Sequence, residues 1–302
     1  MNHSLLRSII ALGVLTGCAE ATGTADLVVQ AEDTITDGLE PGVDTENIVD
    51  GWTINFDRYI TAIGHVHLHQ DVAGLEVSDE TVYVLDLASV NEDGFALTSF
   101  ADIATGRWDD IEFETPAATA SAVRDPSVTQ AEFDEMVAGA CTYLIEGTMT
   151  NPTGERCVPG AACASATSLS FRFCVPAATV FGPCNTPDGL PGLVVNAGLT
   201  TTNAITIHGD HMFFSAFPTG EELLDRRAQW LANCDTNGDG AITRAELEGV
   251  DPSAIFAAPD YSLAGAPRPI NNAWDFLIAQ LKTQGHWNGE GECLVDGEGH
   301  DH

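Results

Sequence analysis

Short runs in which apolar and polar residues alternate recur through most of this chain, and they limit its fold more than any other feature. Trp52, Ile54 and Phe56 alternate with Thr53 and Asn55; Val66 and Leu68 alternate with His65, His67 and His69; Leu169, Phe171 and Phe173 alternate with Ser170 and Arg172. Successive side chains of a strand point to opposite faces, so each run reads as a strand. Further strands are expected at 80–87, 110–114, 142–148, 192–196 and 204–208. Many short strands with turn residues between them favour an antiparallel β-sandwich, so the chain is expected to be mainly β. The helical period is confined to a few places. Thr129 and Glu132 form a capping box ahead of Phe133, Met136 and Val137. Thr219 and Glu222 form another, ahead of a helix through Leu231, and 271–282 carries Trp274, Leu277, Ile278 and Leu281 at helical spacing.

The chain has 302 residues, of which 44% are hydrophobic, enough to bury a core. Its 11 basic residues against 45 acidic ones give a net charge of -34. That argues against binding nucleic acid or anionic lipid headgroups through charge and suits cations instead. Eight cysteines imply an oxidising compartment. Arg7 and the apolar run from Ser8 to Gly17 read as a secretory signal over 1–17, the run being too short to span a bilayer. It ends in Leu15-Thr16-Gly17-Cys18, which resembles a bacterial lipobox. Cys18 is therefore expected to carry lipid and to anchor the protein in the outer membrane, on its periplasmic or cell-surface side.

Residues 18–50 are acidic and poor in large apolar groups, so a flexible tether is expected there. The sandwich should then occupy 51–218, a small helical segment 219–285, and an acidic, His-containing tail 286–302. Without Cys18 an odd number of cysteines remains, which leaves one thiol unpaired. A bridge between Cys234 and Cys293 would staple the helical segment.

The chemistry lies in two constellations. Asp235 to Glu246, DTNGDGAITRAE, has the spacing of an EF-hand calcium loop. Asp235, Asn237, Asp239, the Ala241 carbonyl, Thr243 and Glu246 hold the ligand positions, and Gly240 permits the sharp turn. No second loop of this kind is present in the sequence, and calcium in a plentiful, non-pulsing compartment is expected to be structural. The second constellation is histidine. His65, His67 and His69 share one strand face, and His208-Gly209-Asp210-His211 closes another strand, followed by Met212. Imidazole suits copper, zinc and nickel. A copper or zinc site is expected where one of the first three meets His208 or His211.

Three segments resemble the MbnP-like family of periplasmic or lipid-anchored proteins: 50–59 (DGWTINFDRY) continuing to Ile63-Gly64, 106–111 (GRWDDI), and 205–214 (ITIHGDHMFF). The resemblance implies a β-sandwich that binds copper, first and last strands close together, and a di-haem peroxidase-like partner. In some copper-binding relatives a modified Trp stands two residues before a ligand His. Here Asp110 holds that place after Trp108, so that site is not carried over. The expected function is metal binding without catalysis, calcium at the loop and copper at the histidines. A calcium-stabilised adhesion or interaction module is the first alternative, and a zinc-dependent hydrolase on the histidine strand the second.

Overall fold

The computed structural model describes residues 21–217 and 224–296. The signal segment, Cys18, the Thr219–Glu222 capping box, His300 and His302 lie outside the described residues. The chain is mainly β, with several sheets of mixed pairing and a few short helices. In order, the strands are β1 (Thr22–Ala31), β2 (Thr53–Gln70), β3 (Leu75–Asp86), β4 (Phe95–Ala104), β5 (Gly106–Trp108), β6 (Asp110–Thr115), β7 (Val123–Arg124) and β8 (Tyr143–Thr150). They continue with β9 (Glu155–Arg156), β10 (Ala164–Ser165), β11 (Ser168–Val175), β12 (Thr179–Cys184), β13 (Leu193–Val195), β14 (Thr200–Ile207), β15 (Ala241–Ile242), β16 (Gly285–Trp287) and β17 (Cys293–Val295). The helices are α1 (Asp33–Thr36), α2 (Gln130–Gly139), α3 (Gln229–Ala232), α4 (Arg244–Gly249), α5 (Pro252–Ile255) and α6 (Ala273–Leu281), with a 3₁₀ turn over Gly209–Phe213.

Of the two larger sheets, one runs β16-β14-β1-β4 and the other β15-β11-β8-β2-β6-β12-β17, with β3 also on β2; β9 pairs with β10 and β5 with β13 in two small ones. Inward residues of both, such as Leu27, Val29 and Ile205 from the first and Ile54, Leu68, Phe113 and Phe171 from the second, belong to one apolar core. The pairing is not purely antiparallel as expected. β1 runs parallel to β14, β3 to β7 and β15 to β11.

The expected strands are found, and Thr53–Phe56 and His65–His69 prove to be parts of one 18-residue strand, β2. The tether expected over 18–50 is corrected. Residues 22–31 form β1, hydrogen-bonded on both sides, with Gly23, Ala25, Leu27 and Val29 turned inward. A composition averaged over the window concealed this period-2 run. Further along, Ile35, Leu39 and Ile48 are buried as well. The tail expected from 286 is likewise structured as far as it is described, in β16 and β17. Trp287 is fully buried, and its indole N–H donates to the Gly192 carbonyl at 3.3 Å. α2 begins at the expected capping box. α6 lies within the expected range and is buried on every side.

The disulfides are Cys141–Cys174, Cys157–Cys163 and Cys184–Cys293. The expected Cys234–Cys293 bridge is not formed. β12 pairs with β17, and that register sets Cys184 opposite Cys293. Cys234 is the unpaired thiol, fully buried, its Sγ donating to the Trp230 carbonyl at 3.3 Å. Disulfides on this scale belong to an oxidising compartment. No described helix is long and apolar enough to cross a membrane.

One ion-pair group ties β2 to its neighbours. The Arg58 guanidinium donates to Asp86 at 2.6 Å and to Glu132 at 2.9 Å. Burial opposes the Glu132 carboxylate, but the Thr129 hydroxyl and backbone N–H and Arg58 outweigh it, holding its pKa below the ordinary 4.5. A carboxylate held low in the folded state contributes stability above its unfolded pKa and loses it as pH falls through the folded one. Glu132→Gln is therefore expected to lower the melting temperature at pH 7. The gap to wild type should narrow below about pH 4.5, which thermal unfolding across pH 2–7 checks. A gap that stayed constant down to pH 2 would count against it.

Candidate metal centre

The strongest candidate forms where β14 ends. β14 lies parallel to β1 and antiparallel to β16, with Thr206 opposite His286 and Ile207 opposite Gly285. The chain leaves β14 at His208, whose N–H donates to the Gln284 carbonyl at 3.1 Å, and turns through Gly209–Phe213. Gly209 is needed for space: a Cβ there would meet Cγ1 of Ile35, in α1, at 2.5 Å. The turn brings His211 back beside His208. The ring centroids of His208 and His286 are 4.2 Å apart, those of His211 and His286 5.1 Å, and those of His208 and His211 5.5 Å. All three residues are buried, and one nitrogen from each lies within 4.8 Å of the others.

Each ring is held by a different neighbour. Thr283 donates its hydroxyl proton to the Gln280 carbonyl at 2.8 Å, so it accepts from His211 Nδ1–H at 2.9 Å. That leaves the His211 Nε2 lone pair free to bind. His208 Nδ1 lies 3.1 Å from Glu32 Oε1, and the Thr34 hydroxyl donates to the other Glu32 oxygen at 2.6 Å. His208 Nε2 is 3.3 Å from the Gly289 carbonyl. His286 Nδ1 is buried without a hydrogen-bond partner. A buried polar atom with no partner costs free energy on the order of 1–3 kcal/mol, which a bound cation would offset. Tyr59 donates its hydroxyl to Gln284 Oε1 at 2.7 Å, and the Gln284 carbonyl accepts the His208 N–H.

The charges differ from ring to ring. Burial opposes a charged His208, but the Glu32 hydrogen bond and charge, with Asp210 and Glu290, overcome it and push its pKa up to about 9. Burial, then the charge of His208 and of Arg226, pushes His211 well below the ordinary value. Burial, His208 and His211 do the same to His286. His211 and His286 are thus neutral at pH 7, the form that ligates metals. Asp210 anchors the turn: its Oδ2 accepts from Arg226 at 2.6 and 2.8 Å, and the guanidinium sits 4.7 Å over the Phe214 ring. Three imidazoles in one buried pocket, with a hydroxyl and a carboxylate orienting two of them, could hold a metal ion, and His208 would have to give up a proton to ligate it.

The expected meeting of His65, His67 or His69 with His208 or His211 is corrected. His208 and His211 come together, but their third partner is His286. His65, His67 and His69 lie on the other sheet, on the outer face of β2, while Val66 and Leu68 point into the core. They are held there by carboxylates: His65 by Glu114 at 2.8 Å, His67 by Glu80 at 3.3 Å and His69 by Asp71 at 3.0 Å. Met212 is buried in the apolar core. His286 was concealed by its place at the start of the expected acidic tail. The signal that could have found it is Trp287, a large apolar residue inside an acidic stretch.

The loop from Asp235 to Glu246 is drawn tightly inward. Asp235 Oδ1 accepts from the Gly238 N–H at 2.9 Å, Asn237 Oδ1 from Asp239 at 2.8 Å, and Asp239 Oδ1 from Ala241 at 2.9 Å. Glu246 closes it, Oε1 accepting from Thr236 and Asn237 at 3.1 and 3.3 Å and Oε2 from Thr243 at 2.9 Å. Gly240 has the left-handed backbone, φ 83°, that the turn requires. The long helix expected to lead into the loop is, among the described residues, only the four residues of α3. The middle of the loop is paired to the large sheet, Ala241 with Ser170 and Ile242 with Phe171. Arg156 also donates to the Asp235 carbonyl at 2.8 Å.

No family model matches the chain, and no curated protein matches it. Among solved structures it is similar to MbnP from Methylosinus trichosporium, with a TM-score of 0.31 and 10% identity, over 72% of this chain and 85% of that one. A likeness of that size leaves the reading of the site to its own geometry.

Proposed function

We propose that this chain is a metal-binding protein of the cell envelope that holds one transition-metal ion, copper before zinc, on His208, His211 and His286. The observation that carries the reading is the buried group itself: two neutral imidazoles and a third oriented by Glu32, with nitrogens within 4.8 Å. Imidazole nitrogens in a buried pocket favour copper or zinc over hard cations. The resemblance of 50–59 with Ile63-Gly64, 106–111 and 205–214 to the MbnP-like proteins supports copper, and supports reading the two larger sheets as a sandwich of that kind. The same resemblance supplies a di-haem peroxidase-like partner, and the lipobox at Cys18 an outer-membrane lipid anchor. Calcium at Asp235, Asn237, Asp239, Ala241, Thr243 and Glu246 completes the proposal, as a structural ion in an EF-hand-type loop. The role is binding, without catalysis.

The test is titration of the calcium-loaded protein with Cu⁺, Cu²⁺ and Zn²⁺, with elemental analysis of the bound metal. One tight ion per chain is expected. His211→Ala with His286→Ala should remove it while far-ultraviolet circular dichroism stays unchanged. A folded double variant that binds copper and zinc as tightly as wild type would sink the reading.

A further inference from the structure

The histidines of β2 are left over from this assignment, and their surroundings have a chemistry of their own. A register shift between Gly64 and Val66 and a positive φ of 47° at His65 mark a bulge, which turns His65 aside to Glu114. Beyond the bulge β2 is regular. His69 stands between Glu76 of β3 and Asp110 of β6, directly opposite both. His67 stands between Ser78 and Glu112 in the same way. Directly opposed residues have Cβ atoms roughly 4.5–5.5 Å apart, so these side chains share one patch. They enclose a cleft of about 410 Å³ lined by His67, His69, Glu76, Asp110 and Glu112. Every lining residue is of a metal-ligating type. Glu80 reaches the same ring, 3.3 Å from His67 Nε2, and Glu76 lies 3.7 Å from its Nδ1.

An alternating polar strand on a sheet's outer face would ordinarily mix both charges. Among the described residues no Lys or Arg pairs with Glu76, Glu80 or Glu112. Glu76 and Glu80 lie on the His67 ring and Asp71 on that of His69, and the two rings are 35% and 41% exposed, so side-chain rotation would bring their ligand atoms together on an ion. Two residues apart on a strand is roughly 6.7 Å of rise, close enough for both rings to reach one ion between them. We infer that this cleft is a second, solvent-open site for a divalent transition ion of borderline character, with His67 and His69 as nitrogen ligands and Glu76 and Glu112 as oxygen ligands. The mixed donor set excludes Cu⁺, which prefers soft ligands, and favours Zn²⁺ or Cu²⁺ over Ca²⁺ and Mg²⁺. The site is independent of the buried triad and lies on the other sheet.

The test uses the full, calcium-saturated chain with His300→Ala and His302→Ala, so that the terminal histidines contribute nothing, and Zn²⁺ as the probe. Isothermal titration compares this background with His67→Ala/His69→Ala, and with His211→Ala/His286→Ala. The background should take up two Zn²⁺ per chain. The outer-face variant should lose the weaker one, or bind it at least tenfold less tightly, the smallest loss expected when a site's support is removed. The triad variant should keep it. Imidazole proton shifts of His67 and His69 on adding Zn²⁺ to wild type read the same site without relying on a buried substitution. The inference is overturned if the outer-face variant binds both ions with wild-type affinity, or if Zn²⁺ leaves those two signals unmoved. Loss of the tight ion alone in the outer-face variant also overturns it. If the triad variant binds as wild type does, the proposed function fails and the outer site stands.

Discussion

Serine at both Cys184 and Cys293 is expected to cost the protein roughly 5 kcal/mol of stability. The bridge joins residues 109 apart, and the entropy of closing a loop of that length in the unfolded chain gives about that figure. The same expression gives roughly 2 kcal/mol for Cys157–Cys163, whose separation is 6. The long bridge also has a local task. It clamps β17 to β12, and between β17 and α6 runs the β16 segment that carries His286. Freed at Cys293, that segment is held by the three-residue pairing of β16 with β14 and by the hydrogen bonds of Asn288 and Gly289 to Ala204 and Thr206. The expected pattern is therefore double: a large drop in the urea midpoint, and a weaker tight copper site in the folded fraction. Serine at Cys157 and Cys163 should give the smaller stability loss and leave copper unchanged. Equal midpoints for the two variants would show that loop closure is not what the long bridge contributes.

Removing calcium is expected to cost about 2.7 kcal/mol when the ion stands at a hundredfold excess over its Kd, because a ligand of the folded state alone stabilises by that amount. The fold gives this a route into the rest of the molecule. Calcium loops of this type commonly occur in pairs, yet here the loop's central residues pair with the edge of the large sheet at Ser170 and Phe171. In the proposal the sheet takes the place of a second loop, so an ion that ordered this one would also secure its pairing with β11. Glu246→Gln removes one carboxylate that otherwise receives three backbone N–H groups and would supply both oxygens to the ion. A chelator should lower the wild-type melting temperature by several degrees and barely move that of the variant. A wild-type melting temperature indifferent to both chelator and added calcium would end the proposal for this loop.

The strands were legible because burial on one face of a sheet imposes a period of two on any sequence that forms it. That is why β2, β6, β8 and β11 could be read from the alternation, and why the capping box at Thr129 and Glu132 located the start of α2. β1 obeys the same rule and was still missed, because acidic neighbours diluted Ala25, Leu27 and Val29 in a window average. The histidine alternation in β2 follows the period of two from His67 to His69, while the bulge at His65 departs from it. Which sheet that face belonged to, and what lay across from it, is not a local property.

Pairing across long separations decided the remainder. Cys293 joins Cys184 rather than Cys234 because the register of β12 and β17 brings those two Cα atoms to 4.1 Å. His286 joins His208 and His211 because β16 returns to pair with β14 about 80 positions later in the chain. Glu32 reaches His208 because β1 lies parallel to β14. By itself the sequence determined which residues could be strands, which turns would be tight and which side chains could bind a cation, since those follow from chemistry within a few positions. Only the tertiary structure decided which of those side chains share a pocket. A ligand set is fixed by the relative positions of strands distant in sequence, and the core that sets those positions is assembled from the whole chain.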